Sequence, residues 1–485
     1  MKKIVFLFLI AHCTLHIPST RVCFSQWQPD MWLTNDPSQS STSPNNAWCI
    51  ASSGLIVHVV WFDNRDGNYE IYYKRSVDGG VNWGADTRLT NNAAGSGFPS
   101  VTVSGLVVHV VWYDNRDGNL EIYYKRSADG GVNWGEDTRL TNNTSNSYNP
   151  SVTVSGSGVH VVWREDRDGN DEIYYKRSTD AGASWEADTR LTNNTSFSEY
   201  SSVTVSGSVV HVVWADFRDG NDEIYYKRST DAGVSWGADT RLTNNTAISA
   251  RPSVSVSGSV VHVVWREDRD GNDEIYYKRS TDAGASWGTD TRLTNNSSPS
   301  WNPSVSVSGS VVHVVWYDFR DGNGEIYYKR STDGGVSWGA DTRLTNNIAE
   351  SWAPSVTVSG SVVHVVWQDE RDGNWEIYYK NDPTGNPIGI LNINSEIPHE
   401  FSLSQNYPNP FNPATHFGFR IADFGLVRLS VFDALGKEVT ILVNQLLHPG
   451  SYEVRWDASA YSSGVYFYRI EAGSFKDVKK MILIK

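Results

Sequence analysis

The sequence predicts an all-β protein, a seven-bladed β-propeller closed by an N-terminal strand and followed by a small Ig-like β-sandwich. Three observations lead there. A 51-residue unit recurs seven times without insertion or deletion, from Val57-His58-Val59-Val60-Trp61 to Val363-His364-Val365-Val366-Trp367. Apolar residues within each unit follow strand chemistry, with no helical period of 3.6. The seventh unit stops at Asn381, and the piece it lacks stands at the N-terminus. A unit of this size cannot bury its own apolar face and must stack on its neighbours.

Each unit reads as four short strands. In the second, Pro99-Ser100-Val101-Thr102-Val103-Ser104 opens the set, Val107 to Trp112 and Glu121 to Arg126 follow, and Thr138-Arg139-Leu140-Thr141 closes it. These runs are rich in Val, Ile, Tyr and Thr and bounded by Gly, Asn and Asp, as strands joined by turns are. Between the second and third strands lies Arg116-Asp117-Gly118-Asn119, whose Asp-Gly pair suits the positive φ angles of a two-residue hairpin turn. Sheets of four strands set radially are the economical packing. Closure follows from spacing: Trp27, Asp30, Leu33, Thr34 and Asn35 repeat the intervals of Trp338, Asp341, Leu344, Thr345 and Asn346. The first and last blades then share a sheet, which removes two exposed edges. The connection after this strand, Asp36 to Asn46, is five residues longer than its equivalents.

Six units carry Ser-x-Asp-x-Gly-x-x-Trp between the third and fourth strands: Ser76 to Trp83, Ser127 to Trp134, Ser178 to Trp185, Ser229 to Trp236, Ser280 to Trp287 and Ser331 to Trp338. An Asp side chain can bond backbone amides two residues on, Gly supplies φ > 0, and Trp is a large apolar plug, so turn chemistry accounts for every fixed position. The motif resembles the Asp-box, or bacterial neuraminidase repeat, of sialidase-like propellers.

Met1-Lys2-Lys3 followed by Ile4 to Ala11 reads as a secretory signal peptide over residues 1–25, too short to span a membrane. The propeller is then expected over 26–381, a linker over 382–398, and a second domain over 399–485. Loss of Cys13 and Cys23 with the signal leaves Cys49 alone, without an intramolecular disulfide. A net charge of −14 argues against nucleic acid, and nothing else is apolar enough to be transmembrane. Past the linker come Ser404-Gln405-Asn406-Tyr407-Pro408-Asn409-Pro410-Phe411-Asn412-Pro413, then Val431 to Val439, Gly464 to Arg469 and a Lys479-Lys480-Met481 tail. These resemble the C-terminal sorting domain of type IX secretion substrates. That resemblance implies handling by the type IX machinery and delivery to the outside of the cell, secreted or on its surface. Alternating Val427, Leu429 and Val431 independently indicate the sandwich.

Successive turns of an up-and-down blade alternate ends, so the Asp-box turns share one face and the Arg-Asp-Gly-Asn turns and blade-to-blade linkers the other. The first face is nearly invariant; the second varies. One column reads Phe62, Tyr113, Arg164, Ala215, Arg266, Tyr317 and Gln368, and its neighbour across the hairpin Tyr69, Leu120, Asp171, Asp222, Asp273, Gly324 and Trp375. The linkers add Phe98, Tyr148, Tyr200, Arg251, Trp301 and Trp352. A ring of exposed aromatics among charges suits a glycan or a surface protein, since flat rings stack while charges orient. The expected ligand-binding residues are therefore Tyr69, Tyr113, Tyr148, Tyr200, Trp301, Tyr317, Trp352 and Trp375, on a noncatalytic monomer with no cofactor.

Two further readings stay open. The sialidase resemblance implies an arginine triad that grips a carboxylate, a Tyr nucleophile paired with Glu, and an acidic residue; Arg164, Arg251 and Arg266 leave the repeat, with Tyr148, Glu199 and Tyr200 nearby. Against this exo-acting glycoside hydrolase stand the missing N-terminal Arg-Ile-Pro signature and the six blades of that family. The other is a structural scaffold. The remaining repeated residues have structural explanations: Arg65 and its six copies pair across the hairpin with an acid before the turn and a Glu after it, as Asp63 and Glu70. Asp166-Arg167-Asp168-Gly169-Asn170 falls short of a calcium loop in oxygen ligands, and the seven strand histidines lack the partners zinc needs. No metal is expected.

Overall fold

The computed structural model describes residues 27–43, 48–385, 390–394, 398–423, 425–447, 449–458 and 461–484. The expected signal peptide lies outside the described residues, as does part of the linker. Strands and turns make up the described chain, and among these residues no helix is long and apolar enough to cross a membrane.

Seven antiparallel sheets carry the repeats, and we number the blades by their second strands: Ile56–Asp63, Val107–Asp114, Gly158–Glu165, Val209–Asp216, Val260–Glu267, Val311–Asp318 and Val362–Asp369. In blade two the order is Ser96–Ser104, Val107–Asp114, Glu121–Ser127, Thr138–Arg139. The fourth strand is shorter than its sequence suggests because Thr141 leaves the ladder and accepts the Ile122 amide on Oγ1 at 2.8 Å instead. The first strand is longer, and a bulge interrupts it between Gly97 and Ser100. First strands of neighbouring blades run beside one another around the axis, joined by bonds such as Val152 N–H to Ser100 Oγ at 3.3 Å.

Closure occurs as expected. Met31–Trp32 pairs with Glu376–Asp382, Met31 opposite Tyr379 and Trp32 opposite Tyr378, where Thr138 and Arg139 oppose Tyr124 and Tyr123 in blade two. Asp30 takes Arg371 at 2.7 Å and Lys380 at 2.8 Å, as Asp341 takes Arg320 and Lys329. Trp27 meets the edge of Tyr328 at 5.0 Å, completing the series of Asp-box tryptophans. The long connection is absorbed at the first-strand bulge: Ser40–Ser41 and Ile50–Ser53 pair with the same second strand, and the extra residues fall between them.

Interblade packing explains the fixed residues. His58 Nδ1 bonds the Tyr73 hydroxyl at 2.7 Å inside the sheet, and the Tyr73 ring receives Trp134 of the next blade edge-on at 4.8 Å. Arg75 donates across the same seam to the Gly130 carbonyl at 2.9 Å. Burial holds six of the seven histidines well below their ordinary value, His58 at about 4. Within the Asp-box, Asp129 accepts the Asn133 amide at 2.9 Å and the Val132 amide at 3.1 Å, which keeps its carboxyl below the usual range.

Two expectations need correction. The Arg-Asp-Gly-Asn segment is not a two-residue hairpin: six residues separate Asp63 from Glu70, Gly67 N–H closes the turn on the Asn64 carbonyl at 3.0 Å, and of the pair only Gly67 has positive φ. Nor does the turn arginine pair with the following Glu. Arg116 bonds Asp114 at 2.5 Å and Asp137 at 2.7 Å, with its guanidinium 4.3 Å over Tyr123. Glu121 is taken by Arg139 of the fourth strand at 2.9 Å, because it faces that strand from the core. Asp114 is fully buried and accepts the Trp112 indole N–H at 3.2 Å, and its bonds from Arg116 and Ser96 hold its carboxyl low against the effect of burial.

Two more sheets form a β-sandwich, ordered Ile390–Asn394, Gly450–Asp457, Ala414–Ile421, Ser402–Leu403 and Glu438–Leu447, Gly425–Phe432, Gly464–Ala472, Phe475–Leu483. Phe417, Val427, Leu429, Val431, Tyr468 and Met481 fill it. The Phe411 backbone bonds both Ile482 and Ile484 at 3.0 Å, so the Asn-Pro-Phe-Asn motif holds the last strand.

Candidate ligand-binding face

The variable residues meet at the end of the blades that carries the hairpin loops and the first-strand bulges. Register sets the pairs: Tyr148 opposite Arg164, Glu199 opposite Ala215, Ala250 opposite Arg266, Trp301 opposite Tyr317, Trp352 opposite Gln368. The linker residues occupy two positions rather than one. Tyr148, Trp301 and Trp352 stand in these pairs, whereas Phe98, Tyr200 and Arg251 are one residue on, at the bulge, with φ of 50°, 53° and 54°. A non-glycine residue held there costs roughly 1–3 kcal/mol, and such bulges re-aim side chains.

Around the closed ring these residues segregate into two arcs. Blades six, seven, one and two carry an aromatic arc. Trp352 lies 5.1 Å from Trp375 and stacks on Tyr317 at 6.0 Å, while Trp301 meets Tyr317 at 5.8 Å and Phe319 at 5.5 Å. Phe62 contacts Tyr69 at 5.4 Å and Phe98 at 5.5 Å, and Phe98 contacts Tyr113 at 5.2 Å. Gly324 makes room for this: a Cβ there would lie 2.6 Å from both Trp352 Nε1 and Glu350 Oε2. Glu350 in turn accepts Trp352 Nε1 at 2.9 Å.

The expectation of a freely exposed aromatic ring is corrected. Tyr317 is buried, 7% exposed, because Trp301, Phe319 and Trp352 surround it, and burial pushes its hydroxyl up to about 12. Tyr69 is exposed, while Tyr113, Tyr148, Tyr200, Trp301, Trp352 and Trp375 are half-buried. Phe197, Phe217, Phe319 and Glu350 also stand on this face, and the sequence reading missed them. Lining up the turn positions Asn64, Asn115, Asp166, Phe217, Asp268, Phe319 and Glu370 would have shown two of them.

Blades three to five carry an ionic arc. Arg164 bonds Asp171 at 2.8 Å and Glu199 of the next blade at 3.1 Å, with Tyr148 5.1 Å beneath it. Arg266 bonds Asp273 at 2.9 Å, and Trp301 Nε1 donates to the same carboxylate at 2.6 Å. Arg251 stands 4.7 Å over Tyr200. Burial raises the carboxyls of Glu199 and Asp222, against the lowering effect of Arg164 and Arg266 respectively. Each arginine is thus engaged with its own partner. Among the described residues, no group of three or more His, Cys, Asp or Glu is placed to hold a metal ion.

Residues 24–219 match the family model of the BNR repeat-like domain, and residues 405–485 match that of the secretion system C-terminal sorting domain. The chain thus carries BNR-type repeats and a sorting tail. That tail marks the chain for secretion by the type IX system to the cell surface or extracellular space. No curated protein matches it. Among solved structures it is similar to polysaccharide lyase Uly1, at 9% identity and TM-score 0.52, covering 73% of this chain and 99% of that one; this likeness is one of fold. Phage phi92 endosialidase gives 10% identity and TM-score 0.48, covering 79% and 71%. Trypanosoma rangeli sialidase with 2,3-difluorosialic acid gives 13% and 0.43, covering 82% and 85%.

Proposed function

We propose that the protein is an exported, noncatalytic binder that recognises a glycan or a protein through its variable face. The observation that carries this reading is the engagement of the off-repeat arginines. A carboxylate clamp needs guanidinium groups whose donors face the substrate, yet Arg164 is spent on Asp171 and Glu199, and Arg266 on Asp273. The aromatic arc, by contrast, offers half-buried rings held in place by Glu350, Asp273 and Gly324, and preorganised rings bind at low entropic cost. Topology agrees. The third strand of blade seven ends at Asp382 on the Asp-box side, where Asn381 donates to the Gly79 carbonyl at 3.1 Å, so the chain leaves the propeller away from the variable face.

The test is turnover of a fluorogenic sialoside by purified protein. None is expected. Release of the fluorophore that disappears in Arg164→Ala, Arg251→Ala or Arg266→Ala would establish the hydrolase reading instead.

A further inference from the structure

In six blades the arginine of the fourth strand ties down two acids at once. Arg88 takes the buried Glu70 at 2.8 Å and the hairpin-loop Asp66 at 3.0 Å. Arg139, Arg190, Arg241, Arg292 and Arg343 do the same, with the loop aspartate at 3.1–3.4 Å. Blade seven breaks the pattern. Its fourth strand is the N-terminal one, and Trp32, opposite Tyr378 as Arg139 is opposite Tyr123, stands at the arginine position. The buried Glu376 makes good the loss with bonds from Thr34, Asn374 and the Asp36 amide. Asp372 does not. It keeps the Tyr378 hydroxyl, a bond its equivalents also have, but among the described residues no ion pair reaches it. Its chain neighbour Arg371 is committed to Asp369 at 2.6 Å and Asp30 at 2.7 Å, just as Arg320 is to Asp318 and Asp341 in a blade whose Asp321 is nonetheless paired.

The aromatic ring and the acid adjoin through Tyr378. Its hydroxyl bonds Asp372, and its ring lies parallel to Trp32, the centroids 6.3 Å apart at 12°. Both flanking groups are open to solvent: Trp32 is 42% exposed and Asp372 is exposed. A second acid stands in the same loop. In blades three and five the residue equivalent to Glu370 is spent on the backbone, Asp166 accepting the Asn146 amide at 2.9 Å and Asp268 the Ile248 amide at 2.8 Å. Glu370 is held through its own amide, on the Glu350 carbonyl at 3.0 Å, and its exposed carboxylate receives no hydrogen bond or ion pair among the described residues. The loop therefore presents two open carboxylates without a cation of the protein's own. Trp375 follows in the same hairpin, so this cluster carries the variable face out to the rim of blade seven.

Resting on the binding role proposed above, we infer that this rim receives an arginine side chain from a basic segment of a protein partner. The guanidinium lies on the open side of Trp32 and bonds Asp372, and Glu370 draws a second basic residue. A guanidinium is the group that the fold itself sets against this aspartate in the other six blades, and it both forks a carboxylate and stacks on an aromatic ring. A neutral sugar would leave the two charges unanswered, and an acidic one would be repelled by them.

The probe is a fluorescent Gly-Arg-Gly-Arg-Gly peptide, with citrulline for both arginines as its uncharged isostere, titrated against the full chain. Two exposed ion pairs and one ring contact predict a citrulline peptide about tenfold weaker, with the difference shrinking as salt rises. Asp372→Asn should remove most of the preference, whereas Asp321→Asn, which deletes the same charge from a paired position in blade six, should leave it. Trp32→Arg should satisfy Asp372 from within and abolish binding, with an unchanged or higher melting temperature. Asp372→Asn decides the matter if that variant fails to fold. Binding of neither peptide, equal affinity for both, or equal losses in Asp372→Asn and Asp321→Asn overturns the inference. If Trp301→Ala and Trp352→Ala abolish capture of a glycan or surface protein while Asp372→Asn leaves it intact and the two peptides bind alike, the face binds and the rim does not. Loss of capture in all three variants, with preference for arginine, supports both.

Discussion

Tyr73 of blade one lies so close to Gly131 of blade two that a Cβ on that glycine would sit 1.9 Å from the tyrosine oxygen. The same approach recurs at Gly182, Gly233, Gly284 and Gly335, and blade one meets Tyr379 of blade seven at Gly80. The Asp-box glycine is thus fixed twice over, by a positive φ and by the neighbouring blade. Tyr73 cannot yield, because its hydroxyl is bonded to His58 and its ring is wedged by Trp134.

Gly131→Ala should therefore destabilise by about 2–4 kcal/mol, combining backbone strain with overpacking. Gly118→Ala has a φ of 98° but nothing within 4 Å of its new Cβ, and should cost about 1 kcal/mol. Urea titrations of both variants check this. Equal losses would show that the interblade contact does not matter.

Removal of residues 27–35 strips blade seven of its outer strand, leaves Arg371 and Lys380 without Asp30, and uncovers Tyr328. The truncated protein should melt well below the intact one, by several degrees, since each kcal/mol lost moves the melting temperature of a domain of about 150–250 residues by about 2–4 °C and that of a larger one somewhat less. Coincident melting curves would contradict closure by this strand.

The buried histidines make stability depend on pH in a defined window. An unfolded chain protonates them near 6.5, whereas the folded chain resists until about 4. The unfolded state binds more protons between these values, so stability is lost as pH falls through 6.5 and levels off below about 4. Burial also raises the carboxyls of Asp36, Glu199, Asp222 and Glu376, which work in the opposite sense, but they are fewer than the histidines. Denaturant midpoints should drop between pH 7 and pH 5. A flat profile there would mean that the histidines are not buried in the neutral form.

Much of this was readable because the repeat acts as its own alignment. Closure was legible since Trp27, Asp30 and Leu33 copy the spacing of Trp338, Asp341 and Leu344. The six-residue hairpin loop was not, because Asp-Gly suits more than one turn and the Asn64–Gly67 bond depends on the flanking strands. Nor was the destination of Glu121, which local spacing assigns to Arg116 and the sheet assigns to Arg139. The bulges at Phe98, Tyr200 and Arg251 carry no glycine to announce them. Burial of Tyr317 arises from residues of two blades, which no single repeat reveals.

Arg164 should behave as a structural residue. Its removal leaves Asp171, which is 9% exposed, and Glu199 without their partner, at a cost of about 1–3 kcal/mol. Arg164→Met should be equally destabilising, and Arg164→Lys partly tolerated. A thermal melt unchanged by Arg164→Ala would free this arginine for a substrate.

The most direct measurement of the binding role is retention of wild-type protein and the Trp301→Ala, Trp352→Ala pair on an array of glycans and surface proteins. The account predicts a bound ligand for the wild type and a loss of about 1–3 kcal/mol per removed ring, with Arg266→Ala mattering less than either tryptophan. Equal retention of wild type and double variant on every ligand would contradict it.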